Sequence, residues 1–116
     1  MSSIKELIRT IPDFPIKGIM FRDVTTLFDN AKGFQECIER LTTPYKNTKV
    51  DKVIGLEARG FIIGGAIAKE LECGFIPIRK EGKLPGKTIN QDYELEYGKA
   101  TLEIHEDALS AGDKVL

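Results

Sequence analysis

No apolar run in this chain approaches the ~18 residues that a membrane-crossing helix requires, and the N-terminus lacks the apolar core of a signal peptide. No membrane association is expected, and the cytoplasm is the expected compartment. Charge of one sign is equally scarce: 17 basic residues face 18 acidic ones, for a formal net charge of −1. That balance argues against a protein that coats nucleic acid through general basicity, so any anion site must come from local clustering. Only two cysteines occur, Cys37 and Cys73, without metal-ligand spacing. They are expected as reduced, buried thiols, with a redox pair as the alternative. His105 is the single histidine; it has no partner spacing for metal or nucleophilic chemistry and is expected to be structural. No Ser/His/Asp or Cys/His arrangement is present, and no metal-ligating residues are assigned.

What the chain does contain is concentrated between residues 53 and 87. With 116 residues, 41% of them hydrophobic, it has material for one compact domain and too little for two, so residues 1–116 are expected as a single domain. Val53-Ile54-Gly55-Leu56 leads into Glu57-Ala58-Arg59-Gly60, and Gly74-Phe75-Ile76-Pro77-Ile78 leads into a basic loop. The spacing predicts a strand over 52–56, a helix over 60–71 and a parallel strand over 74–79, close to the ~30 residues of a βαβ unit. The small residues Gly64-Gly65-Ala66 and Ala68 suit close packing of that helix on a sheet. Parallel strands deliver their carboxyl ends to one edge, where open α/β sheets bind ligands. Residues 79–87 hold four cations against one acid, a local charge of +3. Arg59 and this loop therefore point to a polyanionic small molecule, of phosphate-ester type. The loop is neither a Walker A sequence nor a G-x-G-x-x-G fingerprint.

On either side of that unit the pattern is less regular. A short helix through Ile4, Leu7 and Ile8, capped by Ser2 or Ser3, is expected to end at Pro12. Residues 12–24 read as an ordered loop packed on the body. Asp29 or Asn30 is expected to cap a helix with Phe34, Ile38 and Leu41 on its buried stripe. Residues 89–95 and 100–104 read as a hairpin, turning near Tyr97-Gly98, that covers the sheet edge. Lys114-Val115-Leu116 looks like the start of a further strand.

Each candidate site residue has a plainer reading. At Glu57-Ala58-Arg59-Gly60, helix N-terminal amides and the Arg59 fork suit phosphate oxygens; the alternative is a solvated turn with an Arg–Glu surface pair. Arg79 at a strand end suits fixed contacts, whereas Lys80, Lys83 and Lys87 lie along a segment expected to be mobile and able to close on an anion; the alternative is a solvated charge run. Phe21-Arg22 suits stacking on a flat heterocycle, although local sequence alone favours Phe21 as core and Arg22–Asp23 as a structural pair. Glu96 suits general acid–base work if the hairpin closes and desolvates it; alternating acids on a hairpin otherwise form its wet face.

Taken together and in order, these segments resemble the adenine phosphoribosyltransferase family of type I phosphoribosyltransferases. The resemblance rests on Gly18-Ile19-Met20-Phe21-Arg22-Asp23-Val24, on Glu57-Ala58-Arg59-Gly60-Phe61, on residues 78–86, and on residues 93–99 continuing into Leu102-Glu103-Ile104. It implies an α/β fold: a parallel sheet with flanking helices, an N-terminal base-covering segment and a β-hairpin flap. It implies purine salvage, in which adenine and 5-phosphoribosyl-1-pyrophosphate give AMP and pyrophosphate, with Mg²⁺ held mainly by substrate and a homodimeric enzyme. Residue by residue, Met20, Phe21 and Arg22 fall where the family binds adenine. Glu57, Ala58, Arg59, Arg79, Lys80 and Lys83 fall at the pyrophosphate site, with a cis peptide between Glu57 and Ala58. Glu96 and Tyr97 fall on the catalytic flap. Phe21-Arg22 and Leu95-Glu96-Tyr97-Gly98 favour adenine over guanine, hypoxanthine, xanthine or orotate. The family's paired acids and Ala-Thr-Gly-Gly-Thr turn, which cradle the 5′-phosphate, do not occur in the chain. The fold is therefore expected to be incomplete at the C-terminus, and residues 1–116 alone to be inactive and aggregation-prone.

Overall fold

A computed structural model describes residues 4–95 and 98–116. The chain divides into two compact units, one extending to Thr43 and the other Pro44–Leu116.

In the first unit, helix α1 (Ile4–Leu7) stops well before Pro12. Residues 9–12 instead form strand β1 (Arg9–Pro12), paired antiparallel with β2 (Met20–Asp23) from Arg9↔Asp23 to Pro12↔Met20. The expected loop over 12–24 is thus largely a hairpin: β1 extends by pairing, and proline is tolerated at its end because Pro12 is the last ladder position. The capping role expected of Ser2 or Ser3 lies outside the described residues. The turn between the strands places Asp13 (φ 56°) and Gly18 (φ 93°) in left-handed conformations, and the Gly18 amide donates to Asp13 Oδ1 at 2.8 Å. Phe14, Ile16, Ile19 and Met20 are exposed rather than packed on the body.

A short helix α2 (Thr25–Phe28), not expected from the sequence, follows directly. Helix α3 (Ala31–Thr42) starts as anticipated, its Asn30 cap accepting from the Gly33 amide at 2.8 Å. Its buried stripe differs from expectation. Ile38 is buried, but Leu41 is 43% exposed and Thr42 is fully buried instead. Thr42 can occupy that position because its hydroxyl donates to the Ile38 carbonyl at 2.8 Å, so no polar group is stranded.

In the second unit, β3 (Lys52–Leu56), α4 (Arg59–Glu70) and β4 (Gly74–Lys80) form the βαβ crossover. The strands are parallel, in register from Lys52↔Gly74 to Leu56↔Ile78. Helix and sheet approach closely because a side chain is missing at two points. A Cβ on Gly55 would lie 2.4 Å from the Gly60 carbonyl oxygen, and one on Gly64 would lie 2.6 Å from the Phe75 ring. Gly65, expected to share this role, faces open space. Val53, Ile67, Ala68 and Ile76 are buried.

Strands β5 (Thr88–Leu95) and β6 (Gly98–His105) form the expected hairpin, but it does more than cover an edge. β6 pairs antiparallel with β4 at Arg79↔Glu103 and Lys80↔Leu102, giving a mixed four-stranded sheet in the order β3-β4-β6-β5 rather than a parallel one. On the other side of β3, Val115 bridges Lys52 in parallel, and Leu116 accepts from the Ile54 amide at 2.7 Å. The strand start read at residues 114–116 is therefore present. Cys37 and Cys73 are free thiols, half-buried rather than buried as expected; burial raises the pKa of the Cys37 thiol. Among the described residues no helix is long and apolar enough to cross a membrane.

Candidate functional site

Because β3 and β4 run in parallel, the Glu57–Ala58 turn and the start of the basic loop emerge at one sheet edge, joined by a hydrogen bond from the Glu57 amide to the Ile78 carbonyl (3.2 Å). The Glu57 carboxylate organises this edge. One oxygen accepts from the Arg79 guanidinium, at 3.0 Å from Nη2 and 3.2 Å from Nε; the other accepts from the Lys80 backbone amide at 2.7 Å. The Lys80 amide, then the Arg79 hydrogen bond and charge, and then the Lys83 charge hold the Glu57 carboxyl below its usual range, against the opposing effect of burial. The plainer reading of an Arg–Glu pair is thus realised, but with Arg79 as partner, inside the site and not on a solvated turn.

Arg79 is held on a second side by the Phe61 ring, whose centroid lies 5.6 Å from the guanidinium carbon. Phe61 in turn packs edge-on against Phe75 at 5.9 Å. The planar fork of Arg79 is therefore fixed before any ligand arrives, which limits the ordering entropy that binding must overcome. Arg59 is the first residue of α4, and Ala58 caps that helix without a side-chain hydrogen bond. The Glu57–Ala58 peptide is cis, as the resemblance implied. Glu57, Ala58, Arg59, Arg79 and Lys80 are thus all carried by one edge.

The basic segment is the expected loop over residues 81–87, and several backbone hydrogen bonds anchor it. Lys80 is the last residue of β4, paired with Leu102, and Lys83 sits in a tight turn whose amide donates to the Lys80 carbonyl at 3.2 Å. The Glu81 amide donates to the Thr101 carbonyl and the Glu106 amide to the Lys87 carbonyl, both at 3.0 Å. His105 Nε2 lies 2.8 Å from the Pro85 carbonyl oxygen; a carbonyl only accepts, so this nitrogen carries the proton. The structural role expected of His105 is accordingly a specific one. The side chains of Lys80, Lys83 and Lys87 remain exposed.

In the first unit, Met20, Phe21 and Arg22 lie on β2, where alternate residues face opposite ways. Met20 and Arg22 are exposed on one face; Phe21 is half-buried on the other, its ring edge-on to Phe14 at 5.1 Å. Arg22 hydrogen-bonds Thr10 Oγ1, and Asp23 pairs with Arg9 Nε at 2.6 Å, so Arg22–Asp23 is not the ion pair. Asp23 is buried; the Thr25 hydroxyl and amide, and then Arg9, bring its pKa down to about 2. Glu96 and Tyr97 lie outside the described residues. No group of three or more His, Cys, Asp or Glu side chains is arranged to hold a metal among the described residues.

Two residues of this edge, Phe61 and Glu103, entered the sequence reading only as members of the resembling motifs, with no role of their own. A pair register between β4 and β6 was needed to bring Glu103 beside the basic loop.

A parallel βαβ edge with a pre-oriented arginine, continued by an antiparallel hairpin, is an α/β architecture that this chain shares with adenine phosphoribosyltransferases of known structure. No family model matches the chain. The adenine phosphoribosyltransferase of Dinoroseobacter shibae is 63% identical over 98% of this chain, which spans 64% of that protein. The crystal structure of adenine phosphoribosyltransferase from Thermoanaerobacter pseudethanolicus superposes with a TM-score of 0.91 at 49% identity, over 97% of this chain and 65% of that one. The Giardia lamblia enzyme complexed with 9-deazaadenine does so with a TM-score of 0.91 at 38% identity, over 99% and 66%. The chain is a homologue of adenine phosphoribosyltransferase and spans about 65% of the length of these relatives.

Proposed function

We propose that the protein transfers the 5-phosphoribosyl group from 5-phosphoribosyl-1-pyrophosphate to adenine, giving AMP and pyrophosphate, as a purine-salvage enzyme. The observation that carries this is the Arg79 fork, braced by Glu57 and Phe61 at the carboxyl edge of β3 and β4. Departure of pyrophosphate from an oxocarbenium-like ribosyl carbon needs little covalent help. It needs positive charge already aimed at the leaving oxygens and a site closed to water.

Arg79, Arg59, Lys80 and Lys83 supply that charge. Glu57 serves as a brace, since both its oxygens are engaged by Arg79 and the Lys80 amide. Met20, Phe21 and Arg22 bind the adenine ring, and Glu96 and Tyr97 on the flap manage its proton. Mg²⁺, when bound, would be held mainly by substrate oxygens and would supply positive charge to the departing pyrophosphate. The reading extends to a homodimer working in the cytoplasm. The structure of the Giardia relative holds an adenine analogue, 9-deazaadenine, which supports the choice of base.

The test is an assay of the chain extended to the full length of its relatives, with radiolabelled adenine, 5-phosphoribosyl-1-pyrophosphate and Mg²⁺. AMP formation is expected there and none from residues 1–116 alone; turnover of another purine with none of adenine would overturn the substrate assignment.

A further inference from the structure

The basic segment of residues 81–87 begins and ends on the same carboxylate. Glu103 lies on β6, paired with Arg79 of β4 on one side and Asn90 of β5 on the other. Its Oε1 accepts from the Gly82 amide at 2.8 Å, at the segment's entry. Its Oε2 accepts from Thr88 Oγ1 at 2.8 Å, just past the exit. Both oxygens are engaged, and the Gly82 amide and Thr88 hydroxyl keep the carboxyl ionised by holding its pKa below the usual range, against burial. His105, two residues along and so on the same face of β6, holds the segment's middle through Pro85. The Glu106 amide secures Lys87.

We propose that Glu103 is a positioning residue for the basic segment: its carboxylate clasps the entry and exit together and so fixes where Lys83 and Lys87 present their charge to the pyrophosphate group. The inference rests on the pyrophosphate site proposed above. Glu103 touches no ligand itself. It closes the seven-residue stretch from Gly82 to Thr88, which has little apolar anchorage, with only Leu84 and Thr88 half-buried. A single carboxylate suits the task because it accepts on both oxygens without needing a proton, so the clasp persists across the neutral range.

The test compares Glu103→Ala, Glu103→Gln and Thr88→Val with the unaltered protein, reading the amide exchange of Gly82, the Kd of inorganic pyrophosphate with Mg²⁺, and the melting temperature. Glu103→Ala is expected to speed Gly82 exchange and weaken pyrophosphate binding about tenfold each, the worth of one charge-assisted hydrogen bond. Glu103→Gln is expected to restore most of both, since its amide accepts from Gly82 and donates to Thr88. Thr88→Val, which opens the exit alone, should weaken binding less and leave the fold intact should the alanine variant fail to fold. Unchanged Gly82 exchange in Glu103→Ala, or unchanged pyrophosphate affinity in Thr88→Val if the alanine variant is unfolded, would overturn the clasp. Faster exchange with unchanged pyrophosphate affinity would overturn the positioning role. A chain extended to the full length of its relatives that binds pyrophosphate through this clasp yet makes no AMP would overturn the adenine reading and leave this one standing.

Discussion

Gly55→Ala is expected to be costly out of proportion to one methyl group. Its Cβ would stand 2.4 Å from the Gly60 carbonyl oxygen and 2.7 Å from the Phe75 ring, against ordinary contacts of 3.4–4 Å. The first obstacle is backbone in the opening turn of α4, so relief requires that turn to move by about 1 Å or β3 to bend. Overpacking of this kind costs about 1–3 kcal/mol. Gly65→Ala is the internal control: it lies in the same helix with nothing within 4 Å of the added carbon. There the gain in helix propensity should stabilise by about 0.5–1 kcal/mol. Urea unfolding of the two variants against the parent, followed by far-UV circular dichroism, reads both values from midpoint shifts at constant slope. Because the displaced turn carries Ala58 and Arg59, Gly55→Ala should also weaken pyrophosphate binding, whereas Gly65→Ala should not. Gly55→Ala as stable as the parent would refute the close packing of helix on sheet.

In the chain extended to the full length of its relatives, Arg79→Ala should raise the KM for 5-phosphoribosyl-1-pyrophosphate about 10–100-fold in steady-state kinetics, as loss of charge-assisted hydrogen bonds to an anion implies; an unaltered KM would exclude Arg79 from the site. The Asp23 carboxyl has a pKa of about 2 in the folded chain against an ordinary 3.8, so its stabilising contribution is complete above about pH 4 and lost as the pH falls towards 2. Glu57 and Glu103, also lowered, act in the same sense. Unfolding midpoints of the parent should therefore fall between about pH 5 and pH 2.5, and Asp23→Asn should flatten that fall; an equally steep profile in the variant would remove Asp23 from the account. Asn30→Ala should destabilise by about 1 kcal/mol in the same urea experiment, by loss of the bond from the Gly33 amide; no change would show that the cap is inert.

The βαβ unit was legible because its two apolar runs and the intervening small-residue helix carry their own periodicities, and those signals are local. The flap hairpin was legible for the same reason. Harder to see was the pairing of β4 with β6, which makes the sheet mixed: only two residue pairs join them, and nothing in either segment announces the other. The β1–β2 hairpin was hidden by its prolines and by a wide turn whose left-handed residue is Asp13, not only a glycine. Leu41 was placed on the buried stripe of α3 by hydrophobicity, yet Thr42 holds that place through a bond to its own helix. Thr42 satisfies its hydroxyl internally, a compensation that no hydropathy pattern encodes.

The carboxylates show where that limit of sequence reading lies in the candidate site. Asp23, Glu57 and Glu103 each have a lowered pKa, and each accepts a backbone amide at a turning point of the chain: Thr25 at the start of α2, Lys80 at the end of β4, Gly82 within the basic segment. Their immediate neighbours, Leu56 and Ala58 for Glu57 and Leu102 and Ile104 for Glu103, do not announce these bonds. In the fold they hold backbone in place while the lysine side chains of the segment stay exposed. The proposed anion site in a chain of near-zero net charge is consistent with this division of labour. The acids are engaged by backbone amides and, for Asp23 and Glu57, by Arg9 and Arg79, and in the proposed site the exposed Lys80, Lys83 and Lys87 are the cations left to a ligand.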